Sequence, residues 1–275
     1  MNASAASLPD APVALKCACA DLWSHPMAQL LAGPALRPGG RPLTRSIIDR
    51  LALAPGARAL DVGSGTGVTL AELTDAGARA FGVDYSASLA GQAAEAGPVA
   101  VGDAESLPYP SGTFDAVFVE CVLSAIPDKP VALRECRRVL ASGGRLVLTD
   151  MTVRGEFPEP LQSLAAWAAC VGGACSIETY VALLCAVGFV VEDTTDATSG
   201  LRELVDQAER RLAMLRGALG VGLLEQADVL VGELARYGVP VEPDGLEALA
   251  DVLFAQMRGA IDAGDLGYAS FVAAV

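Results

Sequence analysis

The chain has 275 residues, 52% of them hydrophobic and 19% charged, with a formal net charge of −14. That composition supports a large core and leaves little room for long disorder, and without Lys/Arg clusters it speaks against nucleic acid or an anionic membrane surface as partner. The densest apolar run, residues 181–191, is too short to span a bilayer, and the N-terminus lacks the basic start of a secretory signal, so a cytoplasmic location with reduced thiols is expected.

In chain order, residues 19–33 (CADLWSHPMAQLLAG) read as a short helix, LRPGGRP at 36–42 breaks the chain, and 43–53 form a second helix. Residues 1–42 are therefore expected to be an N-terminal helical cap. Buried strands follow at 57–62, 79–84, 98–101, 114–119, 144–150 and 187–193, with helices at about 66–76, 86–95, 129–140 and 176–186 between them. Apolar strands alternating with helices predict a doubly wound, Rossmann-like α/β domain over 43–197, with a mostly parallel sheet covered on both faces. Leucines then recur at helical spacing, predicting a three-helix insert over 198–264 before a closing seventh strand at 265–275. The insert therefore lies between the sixth and seventh strands of a seven-stranded sheet. Each of its helices carries an apolar stripe that must be buried, either as a lid or at a dimer interface. Monomer and homodimer both remain open.

ALDVGSGTGVTLAEL is a strand, a glycine turn and the start of a helix. Gly63, Gly65 and Gly67 let the backbone approach a ligand, and the helix start directs free N–H groups at it. Asp84 ends the next strand, where a carboxylate can accept from both ribose hydroxyls, and Asp103 follows the third strand, where one can accept from an adenine amino group. These pieces, with GDAESLPYPSGTFDAV and RVLASGGRLVLTD in order, resemble the class I S-adenosylmethionine (SAM) methyltransferases over roughly residues 43–193. The resemblance implies SAM as cofactor and S-adenosylhomocysteine as product, with the glycine loop at the methionine end. Asp61 and Ser64 in the turn, Tyr85 beside Asp84, Ala104 beside Asp103, and Glu120 after the fourth strand complete the expected contacts.

A narrower resemblance concerns the acceptor. ECVLSAIPDKPVALRECRRVLASGGRLVLTDM, ACVGGACSIETYVALLCAVGF and the early LKCACA are similar to segments of arsenite methyltransferases. That likeness implies Cys170 as an arsenic ligand and Cys121, Cys17 and Cys19 as matching family cysteines. The chain departs from the family pattern in having no cysteine after Cys185, so Cys175, Cys17 or Cys19 would have to complete a thiolate set. Read as residues, Cys170 and Cys175 flank a Gly-Gly bend that can bring their sulfurs together. Core packing, a structural metal and a thiol site all stay open for them, while a disulfide fits poorly with seven cysteines in a reducing compartment. Zinc is disfavoured because C-x₄-C has no second pair and His25 is the one histidine.

Cys136 and Cys185 are expected in the core, His25 at a helix end, and Trp23 and Trp167 in the pocket wall or the core. Cys121 stands at the carboxyl end of a strand, where open α/β sheets bind ligands. A soft acceptor needs little base assistance, and Cys170, Cys175, Cys121 and Glu120 are the candidate catalytic residues. Three functions follow: methyl transfer to a small soft acceptor (an arsenite-like metalloid, a thiol or a selenol), transfer to an O, N or C centre of an apolar metabolite such as a quinone with Glu120 as base, or SAM binding without turnover. The expected partner is a small-molecule acceptor, and in the third reading the helices at 198–264 would bind a partner.

Overall fold

A computed structural model describes residues 12–155, 170–219 and 246–275. Three helices open the chain: α1 (Pro12–Ser24), α2 (Pro26–Ala32) and α3 (Gly40–Leu51). The alternating core follows as β1 (Arg58–Val62), α4 (Val68–Asp75), β2 (Arg79–Asp84), α5 (Ala87–Ala93), β3 (Val99–Val101), β4 (Phe114–Glu120), α6 (Lys129–Val139), β5 (Leu140–Val153), α7 (Ile177–Ala186) and β6 (Val190–Asp196). Then come α8 (Thr198–Leu219), α9 (Leu246–Ala263) and β7 (Leu266–Ala274).

The strands form one seven-stranded sheet in the order β3-β2-β1-β4-β5-β7-β6. β7 runs antiparallel to β5 and β6, while the pairings from β3 across to β5 are parallel. Alternation along β4 shows why both faces need cover. Val117 and Val119 join one core with Leu146, Tyr180 and Phe271, whereas Ala116 and Phe118 join another with Ile47, Leu70 and Val147. α6 and α7 therefore close one face, α3 and α4 the other. The helix starts are set locally: Ser86, Asp128 and Ser176 accept from Leu89, Val131 and Thr179 amides at the N-termini of α5, α6 and α7. α3 is tied to α4 by Glu72, whose buried side chain accepts from Arg41 Nε at 2.5 Å and pairs with Arg45 Nη2 at 2.6 Å.

The sequence-based elements and burials recur with three differences. The single helix expected at 19–33 is two helices, because Pro26 has no N–H to continue α1 and instead starts α2; His25 sits at their junction, as expected. The outermost strands are not buried on both sides: β6 alternates exposed and half-buried residues, and Val101 on β3 is exposed, as edge positions permit. Cys136 is buried, but Cys185 is exposed. α7 turns Tyr180 and Leu184 inward, four residues apart, which directs the next position outward. Of the insert, α8 and α9 are described, and α8 packs on α2, α9 and β7; the middle helix expected near 223–234, like Trp167, lies outside the described residues.

Candidate functional site

Strand order reverses beside β1, between β2 and β4, and the crevice at that switch point is where open α/β sheets bind ligands. Asp61, Gly65, Asp84, Asp103, Cys19 and Cys121 all line one cleft there. The glycine loop runs with φ of 71° at Gly63 and 53° at Gly65. The two positions differ in what a side chain would meet. A Cβ on Gly63 would lie 2.4 Å from Val122 Cγ2, so that glycine serves packing. A Cβ on Gly65 would find nothing nearer than 3.9 Å, so its bare face fronts open cleft.

Asp84 is pinned at the middle of the cleft. Gly65 N–H donates to Oδ2 and Ser86 N–H to Oδ1, each at 2.8 Å. Burial pushes its carboxyl up and these two amides pull it down, with the rise prevailing. Each oxygen keeps a lone pair for a diol. At the adenine end, Asp103 accepts from Lys16 Nζ at 2.7 and 2.9 Å, and Glu105 accepts from the same ammonium at 2.6 Å. Lys16 belongs to α1, so the N-terminal segment closes over that end. Tyr85 lines the cleft and is half exposed, with the Lys16 ammonium 6.0 Å from its ring centre; Ser64 and Ala104 also line it.

The methionine end holds a buried polar cluster that the sequence reading did not anticipate. Glu120 accepts from Thr69 Oγ1 at 2.5 Å and Thr44 Oγ1 at 2.9 Å, and pairs with Arg37 Nη2 at 3.0 Å. Its oxygens are thus bound into a scaffold, an arrangement that favours anchoring over the base role the sequence had offered it. Beside this cluster stands Asp61, whose carboxyl is pushed up to about 8 by burial and then by the Glu120 charge, against the pull of Arg37. Among the described residues, Asp61 Oδ2 is buried with no hydrogen-bond partner. Such an orphan is costly unless a ligand donor fills it. A cationic amino group there, a diol at Asp84 and an uncluttered backbone at Gly65 fit SAM.

The thiols divide. Cys170 Sγ donates to the Cys121 carbonyl at 3.2 Å, and hydrogen bonds from the Cys121 and Cys19 thiols hold its own thiol well below the ordinary range. Cys19 and Cys121 are correspondingly raised, by the bond to Cys170 and by burial. α1, the end of β4 and the segment before α7 thus bring three sulfurs to one place. The meeting of Cys170 with Cys175 that the Gly-Gly bend allowed does not form. Cys175 directs its sulfur to the Gly173 carbonyl at 3.8 Å, because its backbone is drawn onto the sheet by a bridge to Thr152. Cys17 faces Tyr85 instead. No group of three or more His, Cys, Asp or Glu among the described residues is disposed as a metal-ion site. Nor is any described helix long and apolar enough to cross a membrane.

The sequence reading missed Lys16, Arg37, Thr44 and Thr69. Arg37 was visible as a cation inside the chain-breaking LRPGGRP, yet nothing local told that it would be buried.

Residues 60–148 match the family model for a methyltransferase domain. A demethylmenaquinone methyltransferase of Mycolicibacterium paratuberculosis is 39% identical over 127 residues, 46% of this chain and 51% of the relative. The chain thus spans about half the length of the curated relatives it matches. Among solved structures, the cyclase SpnF aligns over 93% of this chain and 94% of its own, with a TM-score of 0.69 and 25% identity. A Haemonchus contortus phosphoethanolamine N-methyltransferase 2 in complex with SAM aligns over 93% of this chain and 57% of its own, with a TM-score of 0.69 and 18% identity. Residues 60–148 thus form a methyltransferase domain on a Rossmann-like sheet, and SAM is the cofactor that the unfilled groups of its cleft fit.

Proposed function

We propose that the protein transfers the SAM methyl group to a small soft acceptor, an arsenite-like metalloid or a thiol or selenol compound, in the cytoplasm. The observation that supports this is the meeting of Cys170 with Cys19 and Cys121, the two cysteines that line the cofactor cleft, whose thiols hold the Cys170 thiol well below its ordinary range. Soft sulfur ligands suit a thiophilic metalloid centre such as As(III). An arsenite lone pair attacks a sulfonium methyl with no proton to lose, and a thiol or selenol attacks as the anion after giving its proton to water, so neither calls on Glu120, which is held by Arg37, Thr44 and Thr69. Most of the acceleration then comes from alignment, for which effective molarities reach roughly 10⁵–10⁸ M.

When bound, SAM supplies an electrophilic methyl. Asp61 would hold its amino group, Asp84 its ribose, and the Asp103 region its adenine. The insert contributes Leu201, Val205 and Ile261 to the apolar cluster that contains Cys170, excluding water from the thiols.

A second reading, methyl transfer to a quinone, is favoured by the relatives, whose name gives a demethylmenaquinone as substrate. The fold alone does not decide, since one neighbour with it is titled a cyclase. S-adenosylhomocysteine formation should be followed with arsenite, small thiols, selenite plus thiol, and a reduced demethylquinone. Turnover with a soft acceptor that Cys170→Ser abolishes is the expected result. Turnover only with the quinone, indifferent to all three cysteines, would replace this reading with the second.

A further inference from the structure

Arg37 is the one described cation buried in the methionine end of the cleft, and its surroundings tell what it is for. It lies in the connection between α2 and α3, where Leu36 (φ 54°) and Gly39 (φ 73°) bracket it in left-handed backbone. That bend turns the side chain inward, until the residue is 8% exposed. A guanidinium carries five N–H donors. One Nη1 hydrogen goes to the Ala35 carbonyl at 3.1 Å, and Nη2 serves Thr44 Oγ1 at 2.5 Å and Glu120 Oε2 at 3.0 Å. Nε–H and the second Nη1 hydrogen have no partner among the described residues, and the side chain lines the cleft.

Burying an arginine merely to satisfy Glu120 would leave two donors idle, which is costly in a desolvated site. The neighbouring Asp61 is an acceptor in the complementary position, with its buried Oδ2 likewise unpartnered. An unfilled donor pair and an unfilled carboxylate oxygen side by side are the imprint of a zwitterion. We infer that Arg37 is a specificity-determining residue that binds the methionine carboxylate of SAM, while Asp61 takes the adjacent ammonium. Glu120 and Thr44 are positioning residues that hold the guanidinium by its far edge, with Thr69 bracing Glu120, so that its free edge meets the ligand in fixed orientation. This inference rests on SAM occupying the cleft and is independent of which acceptor is methylated.

The test is calorimetric binding of three ligands: SAM, decarboxylated SAM, which keeps the ammonium and lacks the carboxylate, and 5′-methylthioadenosine, which lacks both. Wild-type protein should prefer SAM over decarboxylated SAM. In Arg37→Met, SAM affinity should fall between about tenfold and a hundredfold, the range for a charge-assisted bond, with the other two ligands changing less than about threefold. Because Arg37→Met strands the Glu120 charge, the double variant R37Q/E120Q provides a charge-balanced background in which the same pattern is expected. Arg37→Lys should recover part of the loss, since it restores charge without the fork. Equal loss for all three ligands in both backgrounds would show that Arg37 only maintains the fold, and would overturn the inference. Wild-type protein that binds neither SAM nor methylthioadenosine would instead overturn the cofactor assignment on which it stands.

Discussion

Cys170 and Cys121 face each other with Cys170 Sγ donating to the Cys121 carbonyl at 3.2 Å, and both residues hold left-handed backbone, at φ 63° and φ 59°. Side chains rarely adopt that region, and each instance costs on the order of 1–3 kcal/mol. Two strained cysteines in contact, one at a strand end and one 49 residues later, are held there by the surrounding packing.

Cys170→Ser is accordingly expected to reduce transfer to a soft acceptor at least a hundredfold while leaving SAM affinity within about twofold, since a hydroxyl is a far poorer soft ligand than a thiolate. Cys136→Ser should leave turnover unchanged and cost about 1–3 kcal/mol of stability, the penalty for a buried hydroxyl lacking a partner. Steady-state kinetics and thermal denaturation on the two variants check both. Full soft-acceptor turnover in Cys170→Ser would remove the thiol site.

The glycine loop separates packing from binding. Gly63→Ala forces a methyl group against Val122 and should lower stability by about 1–3 kcal/mol. Gly65→Ala makes only an ordinary contact with Leu36 Cδ1 at 3.9 Å, so its stability cost should be smaller, while SAM affinity falls at least tenfold because the new methyl occupies the cleft. Denaturation midpoints and SAM titrations should therefore rank the two variants in opposite order. The same rank in both measurements would contradict the placement of the cofactor.

Asp61 makes a signed pH prediction. Its carboxyl is raised from the ordinary range to about 8 in the folded protein, by burial first and by Glu120 second, with Asp84 adding and Arg37 and the Leu70 amide opposing. A raised folded pKa means that the native state binds the extra proton, so the stabilisation is complete below about pH 4 and drains away as pH rises through 8. Asp150, raised to about 7 by burial and then by Cys170, acts in the same direction. Ligand-free protein should lose stability between pH 5 and roughly 8, and Asp61→Asn should flatten that slope. Added SAM brings an ammonium to the ionised carboxylate, so its stabilising effect should grow over the same interval. Thermal melts at several pH values, with and without SAM, read both effects. A stabilisation by SAM that is constant with pH would exclude Asp61 as the ammonium partner.

The insert offers a fourth outcome. α8 reaches α2 through Arg211, whose Nη1 donates to the Leu31 carbonyl at 2.7 Å, and lays Leu201 and Val205 over the thiol region. If it acts as a lid, SAM plus acceptor should slow amide exchange in α8 and α9 at any protein concentration. Slowing that appears only on raising the protein concentration would assign these helices to a dimer interface instead.

The sequence by itself determined the alternation of strands and helices, the glycine turn at the end of β1 and the carboxylates Asp84 and Asp103, because each depends on local spacing. A strand read from period and apolarity, or a turn read from glycine, needs no knowledge of what lies across the chain. Cys136 was legible as core for the same reason. The tertiary structure alone decided which thiols meet. Spacing allowed Cys170 to meet Cys175, five residues apart in sequence; the Thr152–Cys175 bridge draws Cys175 onto the sheet, while α1 and β4 bring Cys19 and Cys121 to Cys170. Nor could spacing reveal that Arg37, in a chain-breaking segment, would be buried against Glu120, 83 positions away. Burial, pairing and strain arise from contacts between distant segments, and a one-dimensional pattern does not carry them.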